Sequence, residues 1–509
     1  MTPFRPRLSR LVVGIAFSCA LFGAIAAASA DATSDYNTGL TLGTEAYQYG
    51  IPLLDEDRVY TTSTSEAKCT APSPTAPGGG PANEFCSLRT LATASEHTVP
   101  APNNDTLYTT AWLVDLSKQP QVLHAPAIKS RFWEFELLDP WTVNFYNITS
   151  ISTPLGRGDF GVTGGGNWAV VGPRFHGKVP SGVTLVRSPS DRVWVIGRTF
   201  VRGRSDLRDV HRIQDQYSIT PLSKFGTAYK FKPPKHPGKA FKATIPGTQP
   251  GEDPLQFYAA LGKEMLKFPP PAADRPLLSK LKAVGIGPGL NPADAHLSAA
   301  TLQGLRDAVT QGHNKVLLAF QALYLKYFIK FDGYLISDDG YWGTNYLYRA
   351  IDDALGIGGQ RANIALYPAA LYDDTKAPLT GSKRYVLRIP KTRLPIPVSA
   401  FWSLTLYDIN SFFVPNPLNR YVLNEFSHLR KNPDGSIDIY IQHDEPSNPA
   451  QVSNWLPATA PGNAFRLIWR LYGLGKHLRG VLNGTGWEPP VIQPCDAAGY
   501  GNDGTACAS

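Results

Sequence analysis

Short runs of alternating apolar and polar residues recur along this chain, first at 106–113, 131–138, 167–171, 183–186 and 192–201. They return at 385–389, 401–407, 436–442 and 465–471. Each is rich in β-branched and aromatic residues and is bounded by turn formers, so each predicts a strand. Between the two groups the period lengthens. Leu255, Tyr258, Ala259 and Leu261 share one helical face, and Leu302, Leu305, Val309, Val316 and Phe320 share another. Asp294 or Ser298 stands where the second helix needs a cap. Residues 31–60 also read as helical, from Leu40, Leu42, Ala46 and Tyr47.

The two strand groups carry the same signposts in the same order. Leu107-Tyr108, Phe132-Trp133, Gly166 and Ile196-x-Arg198 in the first become Leu366-Tyr367, Phe401-Trp402, Gly435 and Ile468-x-Arg470 in the second. The offsets are 259, 269, 269 and 272 residues, so the spacing is nearly conserved between copies. The expectation is an α+β, mainly β fold: two related antiparallel sandwich- or barrel-like modules joined by a helical connector. The boundaries read as follows. Residues 1–30 form a targeting segment, and 31–99 a helix with a cysteine-bearing insert. The first β module is 100–225, a basic Pro/Lys linker 226–250 and the helical connector 251–361. The second β module is 362–490 and a cysteine-bearing tail 491–509.

Composition supports this outline. With 46 glycines, 44 prolines and 43% hydrophobic residues in 509, the chain is turn-rich yet able to bury sizeable cores. Arg5, Arg7 and Arg10 precede an apolar run that ends in Ala28-Ser29-Ala30, the pattern of a secretory signal cleaved after Ala30; an uncleaved anchor is the alternative. Beyond Cys19 the cysteines form two local pairs, Cys69 with Cys86 and Cys495 with Cys507. Two disulfides are the simplest pairing and suit an exported protein. Removing the three signal arginines lowers the net charge from +8 to +5. Lys230, Lys232, Lys235, Lys239 and Lys242 account for much of the excess, as a solvated linker or a weak contact for an anionic envelope surface. Nothing in the charge pattern favours nucleic acid.

No GxSxG, HExxH or Walker sequence is present. Period two places Glu134 and Glu136 on the same face of a strand. There they suit a general acid and base or two ligands for a divalent cation, although alternating acids are more often solvated. Pro102-Asn103-Asn104-Asp105 precedes a strand and builds a turn or presents oxygens to a ligand. His97 lies close enough in sequence to act as a base there. The candidate catalytic set is Asp105, Glu134, Glu136 and His97. The candidate ligand-binding set is Asn103, Asn104, Tyr108, Trp342, Tyr346, Arg349, Arg420 and Trp455, whose rings, amides and guanidiniums suit planar or carboxylate-bearing ligands.

The segments APNNDTLYTTAWLVDLS, ELLDPWTVNFY and VWVIGRTFV resemble the DUF1254 domain. GTNYLYRA, LYPAALYDD, AFWSLTLYD, PNPLNRY and NWLP resemble the DUF1214 domain that follows it. The resemblance implies a β-rich pair of domains with a helical connector and names no reaction. The functional expectation is an exported protein that binds, and hydrolyses or otherwise transforms, a small organic molecule in an aromatic cleft between modules. The alternative is a non-catalytic envelope or surface interaction protein. The sequence fixes neither cofactor nor oligomeric state.

Overall fold

The computed structural model describes residues 11–71, 78–97, 100–151, 160–162, 164–234, 244–331, 333–337, 340–496, 499–501 and 506–507. The chain divides into two compact units, Met1–Leu54 with Thr244–Leu317, and Asp55–Ala243 with Leu318–Ser509.

The first unit is helical. A helix spans Leu11–Ser63, of which the part up to Leu54 belongs here, with helices Leu255–Lys267, Arg275–Leu281 and Ala299–Lys330, the last up to Leu317. Ser298, not Asp294, caps the long helix, its Oγ accepting from the Thr301 amide. Two glycines allow the helices to cross closely: a Cβ on Gly39 would lie 2.2 Å from the Thr301 carbonyl oxygen, and one on Gly304 2.2 Å from that of Tyr36. Tyr47 stacks on Phe257 at 5.0 Å, and the buried Tyr258 hydroxyl donates to the carbonyl of Leu305.

The second unit holds both β modules. The first runs β1 (Cys86–Ser87), β2 (Thr106–Leu113), β3 (Gln121–Ala125), β4 (Trp133–Leu138) and β5 (Asn144–Thr149). It continues with β6 (Phe160–Val162), β7 (Gly166–Val171), β8 (Val183–Arg187), β9 (Val193–Phe200) and β10 (Ser218–Pro221). The second opens with β11 (Tyr334–Leu335), β12 (Ala365–Leu366), β13 (Ala369–Ala370), β14 (Tyr385–Ile389) and β15 (Phe401–Asp408). It ends with β16 (Val422–Asn424), β17 (Ile437–Gln442), β18 (Trp455–Pro457), β19 (Phe465–Tyr472) and β20 (Gln493–Pro494).

The repeat is topological. One sheet of the first module is ordered β1-β2-β9-β4-β5-β6, and its counterpart is β11-β13-β19-β15-β16 with β12 also on β19. The facing sheets are β10-β3-β7-β8 and β20-β14-β17-β18. One departure from antiparallel pairing recurs: β7 with β8 and β17 with β18 are both parallel, while the parallel pair of β5 with β6 belongs to the first module alone among the described residues. The fold is therefore α+β, with mostly antiparallel sheets in two β modules.

Period two explains where each core sits. On β4, Trp133, Phe135 and Leu137 turn inward and meet Leu123, Trp168 and Val170 of the facing sheet. On β15 and β19, Trp402, Leu404, Leu406, Leu467, Trp469 and Leu471 do the same against Leu387, Ile439 and Ile441. The opposite faces of these two sheets form a shared layer. Phe132, Phe200, Phe401 and Tyr472 pack there, with Phe200 and Phe401 at 4.2 Å and Phe401 and Tyr472 stacked at 4.3 Å. The Phe-Trp signpost thus divides its labour, Phe facing the other module and Trp its own core. Cys69–Cys86 and Cys495–Cys507 are disulfide-bonded.

Candidate functional site

Strand register aligns a polar row across the shared layer. Tyr108 on β2 faces Arg198 on β9, which faces Glu134 on β4. Arg470 on β19 faces Ser403 on β15, which faces Asn424 on β16. Tyr367, between β12 and β13, lies within electrostatic range of both arginines. The two rows are the repeat's equivalents, with Glu134 in one where Ser403 stands in the other.

Glu134 and Glu136 are wholly buried, not solvated as alternating acids usually are. The space a divalent cation would take between them is filled by Arg198. Its Nη1 donates to Glu134 Oε1 at 2.8 Å and to Glu136 Oε2 at 2.7 Å. The other two oxygens accept from the Gln360 and Asn144 side chains, at 2.8 and 2.9 Å. Every carboxylate oxygen of the pair is satisfied, so the pair fixes Arg198 in place and does not face a ligand. Burial raises both acids; Glu136 reaches about 7 despite Arg198, helped upward by the Glu134 charge. Among the described residues, no group of three or more His, Cys, Asp or Glu gathers as a metal set.

Asp105 differs. It is 1% exposed, and neither oxygen makes a well-aligned hydrogen bond. Asn103 builds the expected turn, its Oδ1 accepting from the Asp105 amide, while Asn104 Nδ2 donates to the Ala92 carbonyl. Burial raises the Asp105 carboxyl; the Arg470 charge and the nearby polar groups of Ser403, Asn424 and Asn103 offset this only in part. Arg470 spends its Nη atoms on neutral acceptors: Thr405 Oγ1, the Ala101 carbonyl and the Tyr407 hydroxyl.

The remaining expected residues scatter. His97 is exposed, rests its ring 4.8 Å from that of Phe412, and does not hydrogen-bond to the Asn103–Asp105 turn. Arg420 donates to the carbonyls of Val452 and Trp455, and Trp455 Nε1 donates to the Gln442 carbonyl, so both tie second-module loops together. Arg349 lies over the Trp141 and Tyr346 rings, at 5.1 and 5.5 Å. Trp342 is buried. Only Asn103, Asn104, Asp105, Tyr108 and the glutamates meet at the shared layer. Arg198, Arg470 and Tyr367 complete it, and the sequence marks them solely as signposts of the repeat. Lys230 and Lys232 are exposed; Lys235, Lys239 and Lys242 lie outside the described residues.

The family model for DUF1254, a protein of unknown function, matches residues 82–221, and that for DUF1214, also of unknown function, matches 364–475. The VPA0106 protein from Vibrio parahaemolyticus shares 22% identity and a TM-score of 0.62, over 90% of this chain and 100% of that one. An uncharacterized protein from Burkholderia cenocepacia shares 11% identity and a TM-score of 0.42, over 92% and 98%. No curated protein matches. The first likeness shows the fold.

Proposed function

Starting from a chain that is a DUF1254/DUF1214 domain-containing protein, we propose that it binds a small organic molecule at the layer between its β modules, with Asp105 exchanging a proton with it. One observation carries this reading: Asp105 is sealed from water with neither oxygen properly hydrogen-bonded. An unsatisfied buried polar group costs about 1–3 kcal/mol. A carboxyl kept at such a cost fits a group that meets a ligand. The glutamates serve by holding Arg198, and Tyr108 and Tyr367 form the half-buried rim. The test is native mass spectrometry of the full chain beside denatured spectra of the same sample. A molecule released from the wild type, and depleted in Asp105→Asn and Tyr108→Phe, is the expected result. Equal retention by all three proteins would remove the site from this layer.

The proposed location is outside the cytoplasm, after cleavage following Ala30. Two disulfides suit an oxidising compartment, and no described helix is long and apolar enough to cross a membrane. N-terminal sequencing of the exported protein should begin at Asp31. A second reading, envelope docking, draws on the exposure of Lys230 and Lys232. It requires that Lys→Gln changes at Lys230, Lys232 and Lys235 weaken envelope association and its salt sensitivity.

A further inference from the structure

Resting on the binding reading above, the unused polar atoms of the layer identify the ligand's chemistry. Arg198 is 7% exposed and spends one nitrogen, Nη1, on both glutamates. Its Nη2 and Nε make no hydrogen bond among the described residues. These two nitrogens form the guanidinium edge that matches the two oxygens of a carboxylate. The Arg198 guanidinium carbon lies 5.6 Å from the Tyr108 ring centroid, and Tyr367 is close enough to feel its charge. Neither the Tyr108 nor the Tyr367 hydroxyl has a hydrogen-bond partner among the described residues, and both rings are half-buried. The Arg198 edge and the two hydroxyls are thus unused donors of one layer.

Charge counting points the same way. Two guanidiniums, Arg198 and Arg470, face three carboxyls, Glu134, Glu136 and Asp105. Burial favours the neutral form of each carboxyl. A carboxyl kept neutral there leaves a guanidinium charge that an anionic group balances, whereas a cation adds to it.

We infer that the ligand carries one carboxylate, held by the Nη2–Nε edge of Arg198 and the hydroxyls of Tyr108 and Tyr367. Acetate is the probe, because it asks about the charged group alone; acetamide is its uncharged counterpart. Both are titrated into the full-length protein at constant ionic strength, and line broadening of the probe's methyl resonance is followed together with the melting temperature. Acetate should act saturably and acetamide should not compete. Tyr108→Phe should weaken acetate about ten-fold by removing one charge-assisted hydrogen bond. Arg198→Lys keeps a cation beside the glutamates while losing the forked edge, and should abolish the effect. Circular dichroism verifies that each variant folds, and Lys178→Gln, at an exposed position, serves as a surface control expected to behave as wild type. Equal competition by acetamide overturns the carboxylate assignment while leaving a site in the layer. An acetate effect that survives both variants overturns the inference by placing the anion elsewhere, as does the lack of any saturable effect. The native mass measurement judges the binding reading independently of these results.

Discussion

At the scale of single residues, Arg198 is the pivot of the buried layer. Removing it as Arg198→Met would strand two carboxylates that it alone neutralises at close range, and should cost about 3–5 kcal/mol in urea denaturation. Glu136→Gln should be mild by comparison, because an amide mimics the protonated acid. The pH dependence follows from the same geometry. Glu136 rises from its ordinary 4.5 to about 7 in the fold. The folded state therefore holds a proton that the unfolded chain has released. That contribution is fully present below about 4.5 and is lost as pH rises through 7. Between these limits the group should lower stability by about 1.4 kcal/mol per pH unit. Glu136→Gln should flatten the slope in denaturation measured from pH 4.5 to 7.5; an unchanged slope would assign it to other groups, such as Glu56, which burial raises to about 8. The sequence shows that Glu134 and Glu136 share a face but not that the face is buried. Their partner Arg198 stands more than sixty residues away and reaches them only through the pairing of β4 with β9.

At the scale of elements, the repeat was legible because it lies in paired strands whose alternation is strong. Most of the strands that the pattern omits are short or polar, Gln121–Ala125 being the exception. Asn144–Thr149 begins with an asparagine that serves the buried network, and Val422–Asn424 and Trp455–Pro457 have three residues each. Their place comes from neighbours, not from their own periodicity. Aspartates close the turns after β4 and β15. Asp139 Oδ1 accepts from the amides of Trp141 and Val143, and Asp408 Oδ1 from that of Phe412. Asp139→Ala and Asp408→Ala should each cost about 1–2 kcal/mol. Asp139→Ala should be the more damaging, since it abandons two amides where Asp408→Ala abandons one. Urea titration of the two variants side by side checks both the size and the order.

For the β unit as a whole, the shared layer decides whether the modules behave as two domains or one. Each has its own apolar core, so independent folding is conceivable from the cores alone. The layer argues against it. Phe132 meets Tyr472 at 4.7 Å and Phe401 at 5.7 Å, and Arg470 donates to the Ala101 carbonyl across the same boundary. Splitting the modules would expose these rings and strip the glutamates of Gln360, which reaches Glu134 from outside the first module. Phe401→Ala should therefore cost about 3–5 kcal/mol as a cavity at the centre of the layer. Its effect should reach beyond its own module. Hydrogen exchange read on peptides covering β4 and β9 should quicken together with those covering β15 and β19. Quickening confined to β15 and β19 would mean that the layer joins two separately stable bodies. The ligand-binding proposal would then have to allow the modules to part, because a boundary that opens on its own can admit a molecule without any single residue giving way.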